Sequence, residues 1–358
     1  MKRLTAFFAL LTTACTGSNY VTFSGPTQGT TYNIVVNNPT PETEKKIDTI
    51  FAEIDQTFSI FNPQSLTSRI NRGETDATTP LFEECFALAK RVHKQTGGYF
   101  DSTVAPLVNA WGFGSEASQE IPCVECIMEH VGMDKVRIEG GRLIKEHRRV
   151  QLDFGSIAKG FSVDRLAEML DGDGISDYMV WVGGEVRARG VNESGRPWRF
   201  GINEPTLGFS NDYGAVVSFE KGGGSGRKSR NVSHELRALA TSGNYRNWFV
   251  DGSGRTRVHT IDPLTGYPVQ GQILSVSIVS AECALADAWA TGVMASGSLE
   301  KAVAMLERAA SAAAANDTPP IEYYIIYGAP ENSTSPENPE STATKTIHSP
   351  GFPLIEKP

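Results

Sequence analysis

The chain has 358 residues, which is enough to bury a sizeable hydrophobic core in one large domain or two closely packed ones. Its 33 lysines and arginines are outnumbered by 41 aspartates and glutamates, which gives a formal net charge of -8 at pH 7. This acidic balance argues against a nucleic-acid-binding protein, because such proteins carry a basic surface for the phosphate backbone.

The N-terminus has the layout of a secretory signal. A basic pair precedes the mostly apolar residues 4–11, and small residues lead from there to Cys15. The ending resembles a bacterial lipoprotein signal, although Thr12 stands where that signal usually has Leu. We therefore expect residues 1–14 to be removed and Cys15 to carry a lipid that anchors the protein to a membrane, on the periplasmic side of the bacterial cell envelope. Ordinary cleavage and an unprocessed N-terminus are the alternatives.

Two further cysteines, Cys123 and Cys126, are separated by two residues. This spacing suits a redox pair or one half of a zinc site, but the chain offers no second pair of ligands at a suitable spacing. In an oxidising compartment, a local disulfide or two unpaired thiols is the expected state.

The first half of the chain predicts a scaffold of strands and amphipathic helices. Residues 29–36 read as a strand, 41–58 and 80–96 as helices with one apolar face, and 135–144 as a small hairpin. In the turn-rich segment between the two helices, Ser65 is a candidate cap for a short helix.

Aromatic residues and glycines come together after the second helix. Phe100, Trp111 and Phe113 lie near several glycines, which lets a flat ring approach the backbone. A flavin or a purine would suit such a place, and an aromatic core around a loop is the alternative.

Residues 149–170 carry the densest chemical pattern in the chain. Apolar and polar residues alternate over 150–154 and predict a short strand, with Asp153 on the polar side. Apolar residues then recur at helical spacing, so the pattern predicts a helix that begins at Ser156. A helix start suits an anion such as a phosphate, and Lys159 adds a positive charge there.

The role of Asp153 has two possible explanations. Beside a bound phosphate, its carboxylate would need a metal ion between the two groups or a contact with another part of a ligand. Alternatively, Asp153 bonds to Lys159 or to the backbone of an ordinary strand, turn and helix.

The second half of the chain alternates short strands with exposed loops. Strands are predicted at 178–182 and 198–202, and the glycine- and charge-rich residues 219–236 read as an exposed loop. A turn at 251–254 closes a hairpin that leads to His259.

Residues 281–315 are the longest helical stretch and should form two helices, broken near 296–298. Asp287 and Thr291 lie four residues apart in the first of them and therefore on one face. A buried unpaired carboxylate is costly, so Asp287 should have a partner, either a metal ion or Lys159. The alternative places Asp287 at the surface in the first turn, with Thr291 bonded to a carbonyl one turn back.

The C-terminal part begins with a strand predicted at 321–327. The tail at 329–358 is rich in Pro, Ser, Thr, Glu and Asn, so we expect it to lack a fixed structure.

Eight segments follow one another in an order that is itself informative. They are QGTTY at Gln28, FSIFNPQSLTSRIN at Phe58, GGYFDSTVAPLVNAWGFG at Gly97, LDFGSIAKGFSVD at Leu152, WVGGEVRARG at Trp181, ATSGNY at Ala240, HTIDPLTGYP at His259 and ADAWATG at Ala286. Each segment alone would be weak evidence. Together, over about residues 25–328, they resemble the ApbE family, the FAD:protein FMN transferases.

The resemblance implies an α+β, T-fold-like architecture in which antiparallel sheets and helices pack as one compact unit. It also implies an activity. Members of the family take FAD, move its FMN half onto the hydroxyl of a Thr or Ser in a partner protein, release AMP and use magnesium. Respiratory sodium-pumping or electron-transfer subunits are the acceptors that the family suggests.

The resemblance also implies site residues. Magnesium would be held by Asp287, Thr291 and an oxygen of Ser156, with the backbone oxygen expected there because Ala is common in the family at that position. Many members have Met in place of Gln28 and Tyr in place of Phe61. The residues implied to contact the flavin and the adenine are Gln28, Phe61, Trp111, Gly112, Phe113, Asp153, Lys159 and Ile261.

For the chemical step, His259 is the expected base for the acceptor hydroxyl, since the ordinary pKa of histidine lies near neutral pH. Asp262 or a metal-bound water could serve instead, and a structural His259 bonded to a carbonyl is a further alternative. Lys159 would help to neutralise the diphosphate. Two other functions fit the same residues: a magnesium-dependent hydrolase that yields FMN and AMP, and a lipoprotein that binds FAD without reacting with it.

Overall fold

The computed structural model describes residues 19–116, 122–205, 213–219, 238–244, 248–250, 256–269, 271–316, 320–328 and 344–355. The helices are α1 (Thr43–Phe58), α2 (Leu66–Arg72), α3 (Pro80–Gln95), α4 (Ala105–Ala110), α5 (Val124–Met128), α6 (Ala158–Gly172), α7 (Cys283–Ala295) and α8 (Leu299–Ala315). The strands are β1 (Tyr20–Thr27), β2 (Thr30–Asn37), β3 (Val136–Glu139), β4 (Arg142–Lys145), β5 (Tyr178–Val182), β6 (Glu185–Arg189), β7 (Trp198–Asn203), β8 (Tyr213–Phe219), β9 (Ala238–Gly243), β10 (Trp248–Val250), β11 (Thr256–Val258), β12 (Ile273–Ser280), β13 (Glu322–Tyr327), β14 (Lys345–His348) and β15 (Leu354–Ile355).

An antiparallel sheet with strand order β1-β2-β5-β6-β9-β12-β13-β14 forms the centre of the molecule. β12 lies between β9 and β13, with Val276 opposite Ser242 on one side and opposite Ile325 on the other. It is buried along nearly its whole length. A strand of this kind requires that both faces of the sheet are covered.

Helices cover one face of the sheet, and a smaller sheet of order β15-β8-β7 covers the other. Ile34 and Val180 point into an apolar cluster shared with α1 and α6. Their neighbours Val35 and Met179 pack against the cluster that contains β7 and β8. The two-residue alternation of a strand therefore assigns successive side chains to two different cores, and each fully buried apolar side chain contributes about 1.5–3 kcal/mol.

α7 carries apolar residues on all of its faces, which is typical of a helix that the core surrounds, and nearly all of its residues are buried. Trp289 is fully buried, and it belongs to the cluster that joins α7 to Phe82 of α3 and Phe154 before α6. Asp287 is the one charged residue of this helix.

The predicted α+β architecture is confirmed, and most of the predicted elements form. The helix predicted over 281–315 is divided into α7 and α8 at the predicted break, and the hairpin at 135–144 forms as β3 and β4. Ser65 caps α2 by accepting a hydrogen bond from the N–H of Ser68 at 3.0 Å.

The strand predicted at 150–154 is wrong. Gln151 makes only an isolated bridge to Val104. The N–H and the carbonyl of Leu152 are instead bonded to the side-chain amide of Asn71, both at 2.8 Å. A side chain thus takes the place of a neighbouring strand, and the alternating burial of this segment persists without a ladder. The helix that follows begins at Ala158, two residues later than predicted.

The prediction that the tail lacks structure is wrong for residues 344–355. β14 pairs with the edge strand β13, and β15 pairs with β8. Phe352 is buried, and Oγ of Ser349 accepts a hydrogen bond from the N–H of Tyr323 at 2.9 Å. The unpaired backbone of an edge strand can order even a polar segment, and tail composition alone does not reveal such a partner.

Cys123 and Cys126 form a disulfide, whereas Cys85 and Cys283 are free and buried. The predicted signal with Cys15, most of the predicted loop at 219–236, and the predicted turn at 251–254 lie outside the described residues.

Within the part of the chain that the structure describes, no helix is both long enough and apolar enough to cross a bilayer.

Candidate active site

The helices α6 and α7 cross with almost no space between their backbones. A Cβ atom placed on Gly160 of α6 would lie 2.5 Å from the carbonyl oxygen of Cys283, the first residue of α7. Real Cβ atoms do not approach a carbonyl oxygen so closely, so glycine is what allows this contact. We call this place the helix crossing, defined by Lys159, Gly160, Cys283 and Asp287.

A carboxylate on α6 caps α7 from outside. The cap residue of α7, Glu282, makes no side-chain hydrogen bond to its own helix. Instead, Asp164 accepts hydrogen bonds from the N–H groups of Cys283 at 2.9 Å and Ala284 at 2.8 Å, and Arg187 of β6 donates to the same carboxylate at 2.5 Å. Such a cap contributes about 1 kcal/mol, and its negative charge suits a helix start. α7 therefore begins at a fixed place beside α6.

Asp287 lies at the helix crossing and is only 2% exposed. Its Oδ2 accepts a hydrogen bond from the N–H of Gly160 at 3.0 Å and lies 3.8 Å from Nζ of Lys159. Burial raises the pKa of Asp287 to about 7, an effect that Lys159 partly offsets and Glu185 reinforces. The alternative of a surface position for Asp287 is therefore wrong, and Lys159 is a partner of its carboxylate.

Glu185 is a site residue that the sequence reasoning missed. It is the first residue of β6, directly after a turn of two glycines, and it is 3% exposed. Its Oε1 lies 3.0 Å from Nζ of Lys159. Burial lowers the pKa of Lys159, but Asp287 and Glu185 more than offset this and raise that pKa above its ordinary value. The available signal was a carboxylate that follows Gly183 and Gly184 in an otherwise apolar run.

The start of α6 has fewer free N–H groups than the sequence reasoning assumed. The N–H groups of Ile157 and Ala158 donate to the carbonyl of Phe154, at 3.0 and 2.8 Å. The N–H of Gly160 donates to the carboxylate at the helix crossing. An anion bound here would therefore meet the ammonium group of Lys159 rather than a row of backbone amides.

Asp153 and Ser156 flank the turn that leads into α6. Oδ1 of Asp153 accepts a hydrogen bond from the N–H of Gly155 at 2.7 Å, so the backbone contact considered for Asp153 is present. Burial raises the pKa of this carboxyl group, and the hydrogen bond from Gly155 partly offsets the rise. The turn places both residues beside Lys159.

A cavity of about 730 Å³ opens beside these residues, a size within the range of ligand pockets. The smaller sheet closes it with residues that the sequence did not single out, among them Arg199 and Asn203 of β7. The predicted site residues that line it are Phe113, Asp153, Ser156, Lys159, His259, Ile261, Asp287 and Thr291.

The residues implied to hold magnesium all belong to the lining of this cavity. Thr291 is one turn after Asp287 on α7, and its Oγ1 lies 3.4 Å from Oγ of Ser242. A carboxylate, a hydroxyl and an oxygen of Ser156 suit magnesium, which binds few protein oxygens and keeps water and phosphate oxygens as its other ligands. A buried carboxylate with a raised pKa also gains a favourable partner when a cation binds.

An all-protein metal cage is a different kind of site and is not seen in the described ranges, where no three His, Cys, Asp or Glu side chains gather in a way that could hold a metal ion.

Another part of the lining, which we call the ring wall, carries rings and apolar side chains. Ile261 is buried in a small cluster with Leu107 and Val124. The rings of Phe113 and His259 lie 6.4 Å apart in an edge-to-face arrangement. This wall suits a flavin or purine ring, with an imidazole beside it.

Two predicted ligand contacts lie near the start of the chain, away from the lining of the cavity. Gln28 donates from Nε2 to Oγ of Ser162 on α6 at 2.8 Å. Phe61 is 71% exposed. Because Oγ of Ser162 in turn donates to the carbonyl of Lys159 at 2.8 Å, Gln28 lies close to the helix crossing even though it does not line the cavity. The contacts of Gln28 and Phe61 with FAD stay predictions.

Three further predicted residues lie just outside the cavity wall. Trp111 donates from Nε1 to the carbonyl of Gly266 at 2.8 Å, and Gly112 beside it has a φ of 86°. Oδ1 of Asp262 accepts a hydrogen bond from the N–H of Leu264 at 2.8 Å. These contacts hold the turns at 111–112 and 262–266, and the contact of these residues with a substrate also stays a prediction.

Comparison with known proteins gives a consistent result. A model of the ApbE family matches residues 28–315. An FAD:protein FMN transferase of Vibrio cholerae is 35% identical over 301 residues, which are 80% of this chain and 84% of that protein. One from Haemophilus influenzae is 34% identical over 307 residues, again 80% of this chain and 84% of that protein.

A solved structure leads to the same family. The flavin transferase ApbE from Vibrio cholerae is similar with a TM-score of 0.74 and 30% identity, and the match covers 95% of this chain and all of that one. The family match spans every residue at the helix crossing. The chain therefore belongs to the ApbE family.

Proposed function

We propose that this ApbE-family enzyme transfers the FMN half of FAD to a Thr or Ser hydroxyl of an acceptor protein and releases AMP, with magnesium bound in the site. The observation that carries the proposal is that Ser156, Lys159, Asp287 and Thr291 all line one cavity, with Nζ of Lys159 3.8 Å from the carboxylate of Asp287. Relatives named FAD:protein FMN transferase support the flavin transfer itself.

The lining of the cavity offers partners for both kinds of surface that FAD presents. Its diphosphate is negatively charged and would lie beside the ammonium group of Lys159. Its flat rings are apolar on their faces and would lie against Phe113 and Ile261. The binding of FAD therefore follows from charge on one side and apolar surface on the other.

Asp287, Thr291 and the backbone oxygen of Ser156 would hold magnesium. When bound, magnesium neutralises the negative charge that builds on the diphosphate as a P–O bond breaks. The chain itself keeps the ligands in place, because the N–H of Gly160 fixes the carboxylate of Asp287 and the outside cap fixes the start of α7.

In the proposed transfer, the acceptor hydroxyl oxygen forms a bond to the phosphorus on the FMN side. The bond from that phosphorus to the oxygen shared with AMP breaks, and AMP leaves with that oxygen. The hydroxyl proton passes to a base, for which His259 is placed in the cavity lining. Asp262 is the weaker candidate, since its carboxylate is engaged by the N–H of Leu264 outside the lining.

Three outcomes separate the proposed transferase from its two alternatives. The protein is incubated with FAD, magnesium and a candidate acceptor domain, and in-gel flavin fluorescence is measured together with AMP. A fluorescent acceptor band with an equal amount of AMP is the expected result. Free FMN and AMP without a labelled acceptor would indicate a hydrolase, and unchanged FAD would indicate a protein that only binds it. An acceptor whose target hydroxyl residue is replaced by Ala is the matched control.

We further propose that a lipid on Cys15 anchors the enzyme to a membrane in the cell envelope. The support is the signal-like N-terminus alone, with its basic pair, apolar run and small residues before Cys15. Cells expressing the full chain should incorporate a labelled fatty acid into it and retain it in the membrane fraction. The Cys15→Ser variant should show neither property, and equal labelling of both proteins would refute the anchor.

A further inference from the structure

The carboxylate of Glu185 is held in a way that ordinary strand packing does not explain. Glu185 opens β6, is 3% exposed, and contributes to the lining of the cavity. Its Oε1 lies 3.0 Å from Nζ of Lys159. Its Oε2 is buried and has no hydrogen-bond partner among the described residues. A buried acceptor without a donor is costly, and native proteins tend to keep such a group where function requires it.

The charges at this point are also unbalanced. Lys159 supplies one positive charge, whereas Glu185 and Asp287 supply two carboxylates. The ammonium group lies nearer to Glu185, at 3.0 Å, than to Asp287, at 3.8 Å. Glu185 therefore draws the lysine away from Asp287, and a carboxylate that is not fully paired with lysine is free to bind a cation.

We propose that Glu185 is a positioning and substrate-binding residue, with a separate task for each of its oxygens. Oε1 holds the ammonium group of Lys159 in the cavity and clear of Asp287, which leaves Asp287 to magnesium. Oε2 accepts a hydrogen bond from a sugar hydroxyl of bound FAD. The proposal rests on the proposed function, because it takes FAD and magnesium as the ligands of this cavity.

The chemistry of FAD favours a sugar hydroxyl as the donor. Because Glu185 contacts Lys159, a lysine that binds the diphosphate would also bring the carboxylate of Glu185 close to the diphosphate. The groups of FAD that can donate a hydrogen bond close to its diphosphate are the hydroxyls of the ribityl chain and of the adenosine ribose. A hydroxyl bound to a carboxylate makes a strong, charge-assisted hydrogen bond.

The test measures binding rather than turnover, with magnesium and FAD titrated separately by calorimetry. Glu185→Gln should weaken magnesium about tenfold, because Lys159 loses its partner and turns to Asp287. It should weaken FAD about fivefold to tenfold, because a charged acceptor is replaced by a neutral amide. Glu185→Asp should restore part of the magnesium affinity, since it keeps the charge, but not the contact of Oε2. FMN and ADP as separate probes show which sugar is bound.

A double-mutant cycle decides whether Glu185 acts on magnesium through Lys159. In a Lys159→Met background, adding Glu185→Gln should leave magnesium affinity unchanged while FAD affinity still falls. Glu53→Gln, which removes one exposed carboxylate from α1, is the matched control for net charge.

Two results would overturn the proposal: magnesium and FAD affinities of Glu185→Gln within twofold of wild type, or an equal loss of magnesium affinity with and without Lys159. The Lys159→Met, Glu185→Gln double variant removes both partners of the ion pair, so comparing its FAD affinity with that of Lys159→Met still tests the contact of Oε2 if Glu185→Gln alone folds poorly. A failure to label any acceptor would refute the proposed transfer but leave these binding results interpretable.

Discussion

The two sides of the cavity are built differently. At the helix crossing and beside it, the buried carboxylates of Asp287 and Glu185 are paired with the partly exposed ammonium group of Lys159, at 3.8 and 3.0 Å. By contrast, residues 111–113 and 260–267 form turns next to the cavity, which we call the rim, and two large apolar side chains of the rim, Leu264 and Tyr267, are about half exposed. One side is therefore a fixed array of charges, and the other is a surface partly open to water.

This difference matches two tasks. Splitting a diphosphate requires charges that are already in place, because moving charges during the reaction would cost free energy. Binding a flat ring requires apolar area and tolerates small adjustments. We therefore expect substitutions at the helix crossing to change the reaction rate and protein stability, and substitutions at the rim to change FAD affinity alone.

The largest difference in transfer rate is expected between two variants that each replace one carboxylate by an amide, one at the helix crossing and one in the rim. Asp287→Asn keeps the shape of the side chain but removes the charge that would bind magnesium, so the transfer rate should fall on the order of 10²–10³-fold. Asp262→Asn should lower it less than tenfold, because an amide oxygen can still accept the hydrogen bond from Leu264. The rate of acceptor labelling at saturating FAD and magnesium is the measurement.

The same two variants can also show that the roles assigned to Asp287 and Asp262 are wrong. If Asp262→Asn lost as much activity as Asp287→Asn, the rim would take part in the chemical step and Asp262 would replace His259 as the proposed base. A nearly unchanged rate for Asp287→Asn would remove Asp287 from the metal site.

The same Asp287→Asn variant should be more stable than the wild type at pH 8 when no metal is present. The pKa of Asp287 in the folded protein is raised to about 7, above the value near 4 of an unfolded aspartate. Its contribution to stability is therefore complete below pH 4 and is lost as the pH rises through 7, a loss of up to about 4 kcal/mol. The variant avoids this loss. Its melting temperature should therefore exceed that of the wild type at pH 8, and the difference should disappear towards pH 4.

Magnesium provides the control for this experiment. It should raise the melting temperature of the wild type at pH 8 by binding only the folded state, and it should leave the variant unchanged. A difference that stays constant across the pH range would mean that Lys159 fully compensates the charge of Asp287.

The local part of the site could be predicted from sequence. Asp287 and Thr291 share a face of α7 because they lie four residues apart, and the apolar periodicity after Ser156 predicts α6 to within two residues. The contacts that join the helices could not be predicted in this way. Glu185 is selected by the ammonium group of Lys159, which only the fold brings within 3.0 Å.

The fold shows the same limit. β12 is buried on both faces, serines included, and it is not among the predicted strands. The segment at 150–154 does alternate, yet its backbone bonds to the side chain of Asn71 rather than to a strand. Periodicity reports which side chains are buried, and it does not report what the backbone is bonded to.

A smaller effect is expected when a methyl group is added at the helix crossing. The Cβ of Gly160→Ala would lie 2.5 Å from the carbonyl oxygen of Cys283, so the helices must move apart, at a cost of about 1–3 kcal/mol. Gly172→Ala at the end of the same helix is the control, since a Cβ there has nothing within 4 Å. It should be neutral or stabilising by about 0.5–1 kcal/mol. Chemical denaturation measures both variants.

The transfer rates of Gly160→Ala and Gly172→Ala test whether the close approach of the two helices matters for activity. Moving α6 from α7 also displaces the N–H of Gly160 from Asp287, so the Gly160→Ala variant should lose activity while Gly172→Ala keeps it. If Gly160→Ala were as active and as stable as the wild type, the close approach of the helices would not be what positions Asp287.

The smallest change in stability is expected at Phe61, which tests whether ring binding extends beyond the cavity. The side chain is 71% exposed, so Phe61→Ala should change the free energy of unfolding by no more than about 0.5 kcal/mol. If its ring stacks on bound FAD, the variant should bind FAD up to about tenfold more weakly, as for other aromatic stacking contacts. Phe61→Tyr should restore the affinity. Unchanged FAD affinity in Phe61→Ala would restrict ring recognition to the wall formed by Phe113 and Ile261, because a ring that contributes neither to folding nor to binding has no part in the site.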